Sequence, residues 1–195
     1  MKRLFDFLFS LIGLILLSPF ILLICAAIKL HDRGPAFYKA SRIGQHGIPF
    51  NMLKFRTMFI YADKTGVSST KADDPRITKI GNLLRKYKLD EIPQLFNVLM
   101  GSMSLVGPRP QIEWTVKLYT PEEKKILSVK PGITDYASIK FHNEGEILKG
   151  SNDPDKLYME LIHPEKMRLS LEYVKERSFL TDLKIIFLTI KSLFS

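Results

Sequence analysis

The sequence has almost no cysteine and no stretch of strongly biased composition. Cys25 is the single cysteine among 195 residues, which excludes an intrachain disulfide and a thiolate-rich zinc site. A reducing, cytosol-facing environment fits this composition better than an extracellular one. Internal repeats, linkers and low-complexity tracts are also missing. With 46% hydrophobic and 25% charged residues, the chain is predicted to fold as one globular domain.

Acidic residues are scarce relative to basic ones. Asp and Glu number 20 against 29 Lys and Arg, which gives a net charge of +9. Such an excess favours a polyanionic partner, which is nucleic acid, anionic lipid or a phosphorylated substrate. The basic residues are spread along the chain, without a helix-turn-helix, a zinc finger or an aromatic-rich RNA platform. We therefore expect no nucleic-acid partner.

Charge is missing altogether from residues 7 to 28, which form a 22-residue apolar run with basic residues on both flanks. As a straight helix this run would measure about 33 Å, enough to cross the hydrocarbon core of a membrane. A signal peptide is the alternative. The run is long for one, however, and no small-residue cleavage site follows it. We expect the segment to stay attached.

Ser18 and Pro19 lie in the middle of this apolar run. Proline removes a helical hydrogen bond and clashes with the preceding turn, at a cost of about 3 kcal/mol. A mild kink in a spanning helix is one interpretation. Because both flanks are basic, the positive-inside rule favours the other interpretation, in which the chain returns to the side that it entered from. We predict a re-entrant membrane helix over residues 1–30 that breaks at Ser18 and Pro19.

Apolar residues also recur at helical spacing near the carboxyl end. The stripe consists of Phe179, Leu180, Leu183, Ile186, Phe187, Ile190, Leu193 and Phe194. Ile185 and Leu188 add apolar surface outside the stripe. The pattern is typical of an amphipathic helix packed on the core, and equally of a helix that lies in the lipid headgroup region.

The residues between these ends predict a mainly helical α+β domain over residues 31–195, cytoplasmic and compact. Residues 36 to 58 predict a small β-hairpin, and helices are expected at 77–87, 92–99, 155–162 and 164–176. Thr120 and Glu123 have the spacing of a capping box that opens a short helix. Residues 101 to 110 are too rich in glycine and proline for a regular element, and we expect a fixed loop. Amphipathic helices of this domain are expected at the membrane interface.

The candidate catalytic residues are two adjacent carboxylates, Asp90 and Glu91, which follow a cationic stretch and precede Pro93. Proline suits the first turn of a helix, so both acids should lie near a helix amino end. There the helix dipole and basic neighbours favour ionised carboxylates, as a nucleophile or a metal ligand requires. Simple complementation of the dipole is the structural alternative.

Four basic residues are candidates for binding a substrate phosphate. Arg109 is presented by the glycine- and proline-rich loop, and its planar fork matches phosphate oxygens. Lys54 and Arg56 alternate with apolar residues, as on a strand whose one face meets an anion. Arg85 is a further candidate. Each of these residues could instead be a solvated charge or contact lipid headgroups.

Several motifs in a fixed order run through nearly the whole chain. They are KRLFD at 2–6, Ser-Pro at 18–19, GPAFY at 34–38, KFRTM at 54–58, DPRIT at 74–78, LDEIPQL at 89–95, MSLVGPRP at 103–110 and KPGIT at 130–134. In these motifs the chain resembles the bacterial sugar transferase family, the monotopic phosphoglycosyl transferases that load a sugar phosphate onto polyprenyl phosphate. Its length is similar to that of the minimal members.

The resemblance implies a protein on the cytoplasmic face of the bacterial inner membrane, inserted in one leaflet with both termini cytoplasmic. It implies that Asp90 attacks the sugar-linked phosphate of a UDP-sugar, releasing UMP and forming a covalent aspartyl phosphosugar. Undecaprenyl phosphate would then accept the phosphosugar. The resemblance assigns Glu91 to binding Mg²⁺, and Arg109 would help to neutralise the approaching anions.

The chain departs from many hexose-1-phosphate transferases after the KPGIT motif, where DYASIKF occupies residues 135–141. Those enzymes continue with glycine, tryptophan and a glutamine-containing strand. The segment here is more similar to enzymes that use UDP-N,N'-diacetylbacillosamine in bacterial protein N-glycosylation, so an acetamido sugar is predicted. The alternative function is a non-catalytic, membrane-tethered basic module that binds anionic lipid or nucleic acid.

Overall fold

A computed structural model describes residues 1–62 and 67–192 of the chain. Leu193 and Phe194 of the predicted stripe lie outside the described residues. The helices are α1 Lys2–Asp32, α2 Lys79–Lys86, α3 Gln94–Met100, α4 Glu113–Lys117, α5 Tyr136–Lys140, α6 Glu144–Ile147, α7 Pro154–Leu161, α8 His163–Glu176 and α9 Phe179–Ser192. The strands are β1 Phe37–Ile43, β2 Pro49–Phe55, β3 Ser104–Val106 and β4 Gly132–Thr134, with 3₁₀ turns at Gln45–Gly47, Leu89–Glu91 and Glu123–Ser128. The predicted α+β, mainly helical fold is confirmed.

The apolar amino-terminal segment is one uninterrupted helix, so the break expected at Ser18 and Pro19 is not formed. Pro19 has no N–H for the carbonyl of Ile15, one turn earlier. The hydroxyl of Ser18 donates to that carbonyl instead, at 2.8 Å, and this bond gives the carbonyl a partner inside the helix. Within the described residues, α1 is the one helix long and apolar enough to cross a membrane.

One narrow stripe of α1 packs against the rest of the protein. Leu14, Ile21 and Ile28 are buried in a core that includes Phe55 of β2 and Leu84 of α2. Most other apolar side chains of the helix are exposed, and those exposed by more than half are Leu4, Phe9, Ile12, Ile15, Leu16, Phe20, Leu22, Leu23 and Leu30. Soluble monomers rarely expose a contiguous apolar surface of this extent. The exposed side of α1 has the character of a lipid-facing surface.

Both ends of α1 are attached to the same domain. At the amino end, Lys2 Nζ lies 2.5 Å from the carboxylate of Asp182 in α9 and donates to the Val106 carbonyl at 3.0 Å. At the carboxyl end, the carboxylate of Asp32 forms a two-pronged ion pair with the Arg56 guanidinium. The helix therefore begins and ends beside one folded body.

The predicted hairpin is confirmed, with β1 and β2 antiparallel. Tyr38 pairs with Lys54, and Ala40 pairs with Met52. Ala40 and Met52 are buried against Val98 of α3. Since alternate residues of a strand share a face, the face that carries Lys54 is the one that packs on α3.

The glycine- and proline-rich segment contains a strand that the sequence analysis did not predict. β3 pairs in parallel with β4, with Ser104 opposite Gly132 and Val106 opposite Thr134. The backbone of Gly107, directly after β3, lies so close to Gly132 of β4 that a Cβ on Gly132 would lie 2.0 Å from the Gly107 nitrogen. Glycine at these two positions permits the contact that fixes the start of the Arg109 loop.

The carboxyl-terminal helix α9 has two different apolar faces. Ile185 is fully buried with Val106 and Tyr173, so it does not add to the exposed surface as the sequence analysis assumed. Leu180 and Phe187 of the predicted stripe are 76% and 67% exposed. The helix is therefore packed on the core along one side and presents an apolar strip on the other, which combines both interpretations of its pattern.

The predicted capping box is formed as well. The N–H of Thr120 donates to the Glu123 carboxylate at 2.7 Å, and the N–H of Glu123 donates to the Thr120 hydroxyl at 3.2 Å. The turn that follows is a 3₁₀ helix, Glu123–Ser128. Reciprocal capping thus starts this short element as its spacing predicts.

Candidate active site

Asp90 and Glu91 lie on the 3₁₀ turn Leu89–Glu91, which leads directly into α3 through Pro93. The turn follows Lys88, whose backbone is in the left-handed region with φ 56°. Asp90 is buried, with 6% of its surface exposed. The structure therefore places both acids at the entrance to a helix, as the sequence predicts.

Glu91 is bound by two cations from distant parts of the chain. Lys54 Nζ of β2 donates to Glu91 Oε1 at 2.9 Å. Arg109 donates to both oxygens, at 3.1 Å from Nη1 to Oε2 and through Nη2 to Oε1. Burial alone would raise the pKa of Glu91, but the charges of Arg109 and Lys54 outweigh it and hold the pKa well below its usual range. Glu91 is thus an ionised carboxylate that fixes two phosphate-binding candidates in place.

Asp90 is held much more loosely than Glu91. Within residues 1–62 and 67–192, its one ion pair is with Lys54, at 3.5 Å between Nζ and Oδ2, and its carboxylate makes no hydrogen bond. A carboxylate beside several cations but without a close partner has oxygen lone pairs available for reaction. Glu91 is therefore held closely by two cations, whereas the neighbouring Asp90 is not.

The Arg109 loop is positioned by Asp135, a residue that the sequence analysis did not select as part of the site. Asp135 is fully buried. One of its carboxylate oxygens accepts from the Arg109 N–H at 3.3 Å, and the other accepts from the Ser138 N–H at 2.7 Å as the cap of α5. The Arg109 guanidinium also donates to the Ile133 carbonyl of β4 at 3.4 Å. Aspartate is a preferred N-cap residue, so Asp135 directly before a helix is the signal that could have identified it.

Arg85 lies near the carboxylate pair, although it does not bond to either acid. Its Nε donates to the Thr57 hydroxyl at 2.8 Å. Burial lowers the pKa of Arg85, and the negative charge of Asp90 is the strongest influence that opposes this shift. Arg85 therefore contributes positive potential at Asp90, consistent with the place that the sequence predicts for it.

Arg56 is not brought to the carboxylate pair. Its guanidinium is buried and bonds to Asp32, while its Nε donates to the Pro35 carbonyl at 2.7 Å. Buried ion pairs of this kind break only at a large cost. Among the described residues Arg56 therefore serves as the anchor for the end of α1, and its expected role in binding phosphate finds no support in its contacts.

Lys88 and Gln94 are two further residues near the pair that the sequence analysis did not select. Burial lowers the pKa of Lys88, and the charge of Glu91 is the main opposing influence, which places its ammonium in the field of the site. Gln94 follows Asp90 by four residues, about one helical turn. Its side chain is fully buried, and neither amide atom has a hydrogen-bond partner among the described residues.

Asp90 and Glu91 are the acids of the site that could hold a magnesium ion. In the parts of the chain that the structure covers, no group of three or more His, Cys, Asp or Glu side chains is placed to hold a metal. Mg²⁺ is commonly bound by one or two carboxylates, with substrate phosphates and water completing its coordination. Asp90 and Glu91 offer the oxygen ligands that such a site needs. Glu91 would exchange part of its contact with Lys54 or Arg109 for the metal.

Comparison with known proteins identifies the family to which this chain is similar. A sequence profile described as bacterial sugar transferase matches residues 1–195. The uncharacterized sugar transferase EpsL of Bacillus subtilis is 39% identical, over 98% of this chain and 86% of that protein. The exopolysaccharide production protein ExoY of Sinorhizobium fredii is 37% identical, over 97% and 83%.

A longer relative carries a more specific name. The UDP-glucose:undecaprenyl-phosphate glucose-1-phosphate transferase of Escherichia coli is 37% identical over 97% of this chain, which corresponds to 39% of that protein. The family match spans every motif and every site residue described above. The chain therefore belongs to the bacterial sugar transferase family and is a transferase enzyme.

Proposed function

We propose that this enzyme transfers a sugar 1-phosphate from a UDP-sugar to undecaprenyl phosphate, giving a polyprenyl-diphosphate-sugar and UMP. The observation that carries the proposal is the unequal carboxylate pair. Glu91 is neutralised by Lys54 and Arg109, while Asp90 keeps unbonded oxygens beside Lys54. Relatives named for the transfer of a sugar phosphate to undecaprenyl phosphate support it.

The proposed reaction has two displacements at the same phosphorus. A carboxylate oxygen of Asp90 attacks the sugar-linked phosphorus, and the bond from that phosphorus to the UMP oxygen breaks, with the electron pair leaving on UMP. An oxygen of undecaprenyl phosphate then attacks the aspartyl phosphosugar, and the Asp90 carboxylate is regenerated. Positive charge from Arg109 and Lys54 stabilises the extra negative charge at phosphorus in both steps.

We propose Glu91 as a ligand of Mg²⁺ in this site. When bound, the ion would neutralise phosphate charge and polarise a phosphoryl oxygen. Glu91 would also keep Arg109 and Lys54 oriented, since both donate to it. The chain's own contribution is thus a fixed set of donors around one ionised carboxylate.

We also propose that the enzyme is inserted in one leaflet of the bacterial inner membrane, with its domain on the cytoplasmic face. The exposed apolar sides of α1 and α9 support contact with lipid. A re-entrant path for α1 is supported by the attachment of Lys2 and Asp32 to one folded domain. A helix that crossed the bilayer would place Lys2 and Asp32 on opposite sides of the membrane, whereas both are bound by one domain.

For the sugar, we propose an acetamido sugar, with N,N'-diacetylbacillosamine as the first choice. The proposal rests on the segment at residues 135–141, which begins with Asp135 and forms α5 directly behind Arg109. Several relatives are named for glucose, and one is named as a galactosyl transferase. UDP-glucose and UDP-galactose are therefore the necessary competitors in a substrate panel.

The test is an assay of the purified protein in vesicles with Mg²⁺, undecaprenyl phosphate and a panel of UDP-sugars. We expect UMP release and a lipid-linked sugar phosphate with the wild type. Asp90→Asn keeps the shape of the side chain but removes the attacking oxyanion, so both products should vanish. Asp153→Asn, a conservative change at the exposed cap of α7, is the matched control and should leave the rate unchanged.

The covalent step has its own readout. With UDP-sugar but no lipid acceptor, the peptide that contains Asp90 should gain the mass of one phosphosugar, and undecaprenyl phosphate should remove it. If UMP leaves only when both substrates are bound, the attack is direct and Asp90 is not the nucleophile. If no sugar in the panel yields UMP, a non-catalytic lipid-binding module explains the basic charge instead.

A further inference from the structure

Arg42 is a cation next to the Arg109 loop that is not used by the proposed chemistry. It lies near the end of β1 and is half-buried. Its guanidinium donates to the carbonyl of the adjacent Ser41 at 2.8 Å. No carboxylate in the described residues lies within ion-pair distance of Arg42, so none of them neutralises this partly buried charge.

The backbone places Arg42 beside the Arg109 loop. The N–H of Ile43 donates to the Gln111 carbonyl at 2.9 Å, so the end of β1 is joined to the chain two residues after Arg109. Burial lowers the pKa of Arg42, and the like charge of Arg109 lowers it further. Two guanidinium groups are therefore held close together, and only that of Arg109 has a carboxylate partner among the described residues.

Arg42 also shares a face of the hairpin with Lys54. Lys54 is paired with Tyr38, and Arg42 follows Tyr38 by four residues on the same strand. Alternate residues point to the same face, and four residues of strand measure about 13 Å. Lys54 and Arg42 thus lie on one face of the hairpin, and Arg109 interacts with both, through Glu91 with Lys54 and by like charge with Arg42. At the Lys54 end Glu91 supplies negative charge, whereas the Arg42 end has none from the described residues.

We propose that Arg42, together with Arg109, binds the second phosphate of the nucleotide diphosphate, the one that departs with the nucleoside. This inference rests on the proposed function. As Asp90 bonds to the sugar-linked phosphorus, the electron pair of the breaking P–O bond moves onto the oxygen of this second phosphate. A planar guanidinium can donate two hydrogen bonds to such a group and stabilise the charge that develops there. The phosphate of the lipid acceptor has the same chemistry, so the experiment must separate the two sources.

The experiment compares Arg42→Gln, Arg42→Lys and the wild type, each as the full chain in vesicles. UMP binding is measured by calorimetry, and each half-reaction is timed separately. The first half-reaction is adduct formation from UDP-sugar, and the second is discharge of the preformed adduct to undecaprenyl phosphate. Lys39→Gln is the matched control, because Lys39 is exposed and points to the other face of β1.

We expect Arg42→Gln to weaken UMP binding and to slow adduct formation, each by about 10- to 100-fold, as the loss of a charge-assisted contact implies. Discharge of the adduct should change by less than about twofold. Arg42→Lys should recover part of the loss, and Lys39→Gln should match the wild type.

Three results would overturn the assignment to the nucleotide phosphate. Unchanged UMP binding with slowed discharge would assign Arg42 to the acceptor lipid. Equal losses in UMP binding and in both half-reactions, with a lowered melting temperature, would assign it a purely structural role. Wild-type behaviour of Arg42→Gln would leave it without a role in the site. Failure of the proposed function is a separate result, since the wild type itself would then release no UMP.

Discussion

Replacing Arg109 by lysine tests whether the site needs a planar fork or only a positive charge. Arg109 Nη1 and Nη2 each reach a different oxygen of Glu91, and Nη1 also donates to the Ile133 carbonyl at 3.4 Å. A lysine keeps the charge but has a single ammonium in place of the planar guanidinium. It cannot reproduce all of these contacts, so at least one charge-assisted hydrogen bond is lost. Such a bond contributes about 1.5 to 3 kcal/mol. At about 1.4 kcal/mol for each factor of ten, kcat/KM should fall by about 10- to 150-fold.

The assay for Arg109→Lys is UMP release at subsaturating UDP-sugar, with the melting temperature measured in parallel. Arg168→Lys is the matched control, since Arg168 also binds two carboxylate partners but on the exposed side of α8. Its rate should stay within about twofold of the wild type, because exposed ion pairs contribute little. A rate for Arg109→Lys equal to that of the control would refute the requirement for a planar guanidinium at this position. Equal loss of activity and of folding would show that Arg109 acts on stability alone.

Three other perturbations test the topology of α1, its attachment through Asp32 and the ion pairs of Glu91. Pro19→Ala restores the N–H donor for the Ile15 carbonyl and should let some molecules span the membrane; a cysteine placed at the amino terminus, before Lys2, would then react with an impermeant thiol reagent from outside, and unchanged labelling would exclude Pro19 as the determinant of topology. Asp32→Asn leaves the buried Arg56 charge unpaired and should lower the free energy of unfolding by about 3 to 5 kcal/mol in denaturant titrations; a loss below about 1 kcal/mol would show that the pair does not anchor α1. Because the pKa of Glu91 is lower in the folded protein than in the unfolded chain, its ion pairs stabilise the fold above about pH 4 and this stabilisation disappears as the pH falls through the folded value. Melting temperatures from pH 3 to 7 should therefore drop less steeply in Glu91→Gln than in the wild type, and parallel curves would contradict the shift.

Local sequence signals were sufficient for most elements of secondary structure. The apolar run, the capping box at Thr120 and Glu123, the hairpin and the helices α2, α3, α7 and α8 were predicted, because each depends on residues only a few positions apart. The short helices α4, α5 and α6 were not predicted. The continuity of α1 was missed. It depends on the Ser18 hydroxyl bonding to the Ile15 carbonyl, and a serine before a proline does not by itself reveal which partner it takes.

The parallel pairing of β3 with β4 was also missed, and the physical reason is different. Three residues flanked by glycine and proline carry almost no periodic signal. Their partner strand lies about 28 residues further along the chain, with Ser104 opposite Gly132. Only packing brings such segments together, and glycine at 107 and 132 permits the approach. The loop that carries Arg109 is fixed by this distant contact.

The sequence by itself determined the acids of the candidate site, the family and the lipid-facing character of α1, since these depend on residue type and order. The tertiary structure decided which cations reach the acids. Lys54 and Arg109 lie 37 and 18 residues from Glu91 along the chain, yet both bond to it. Arg56 is only two residues from Lys54, but it is bound by Asp32 at the end of α1. Charged side chains that are neighbours in the sequence can bind different partners, because only the packed fold brings those partners within hydrogen-bond distance. Burial then makes each of these ion pairs energetically costly to break.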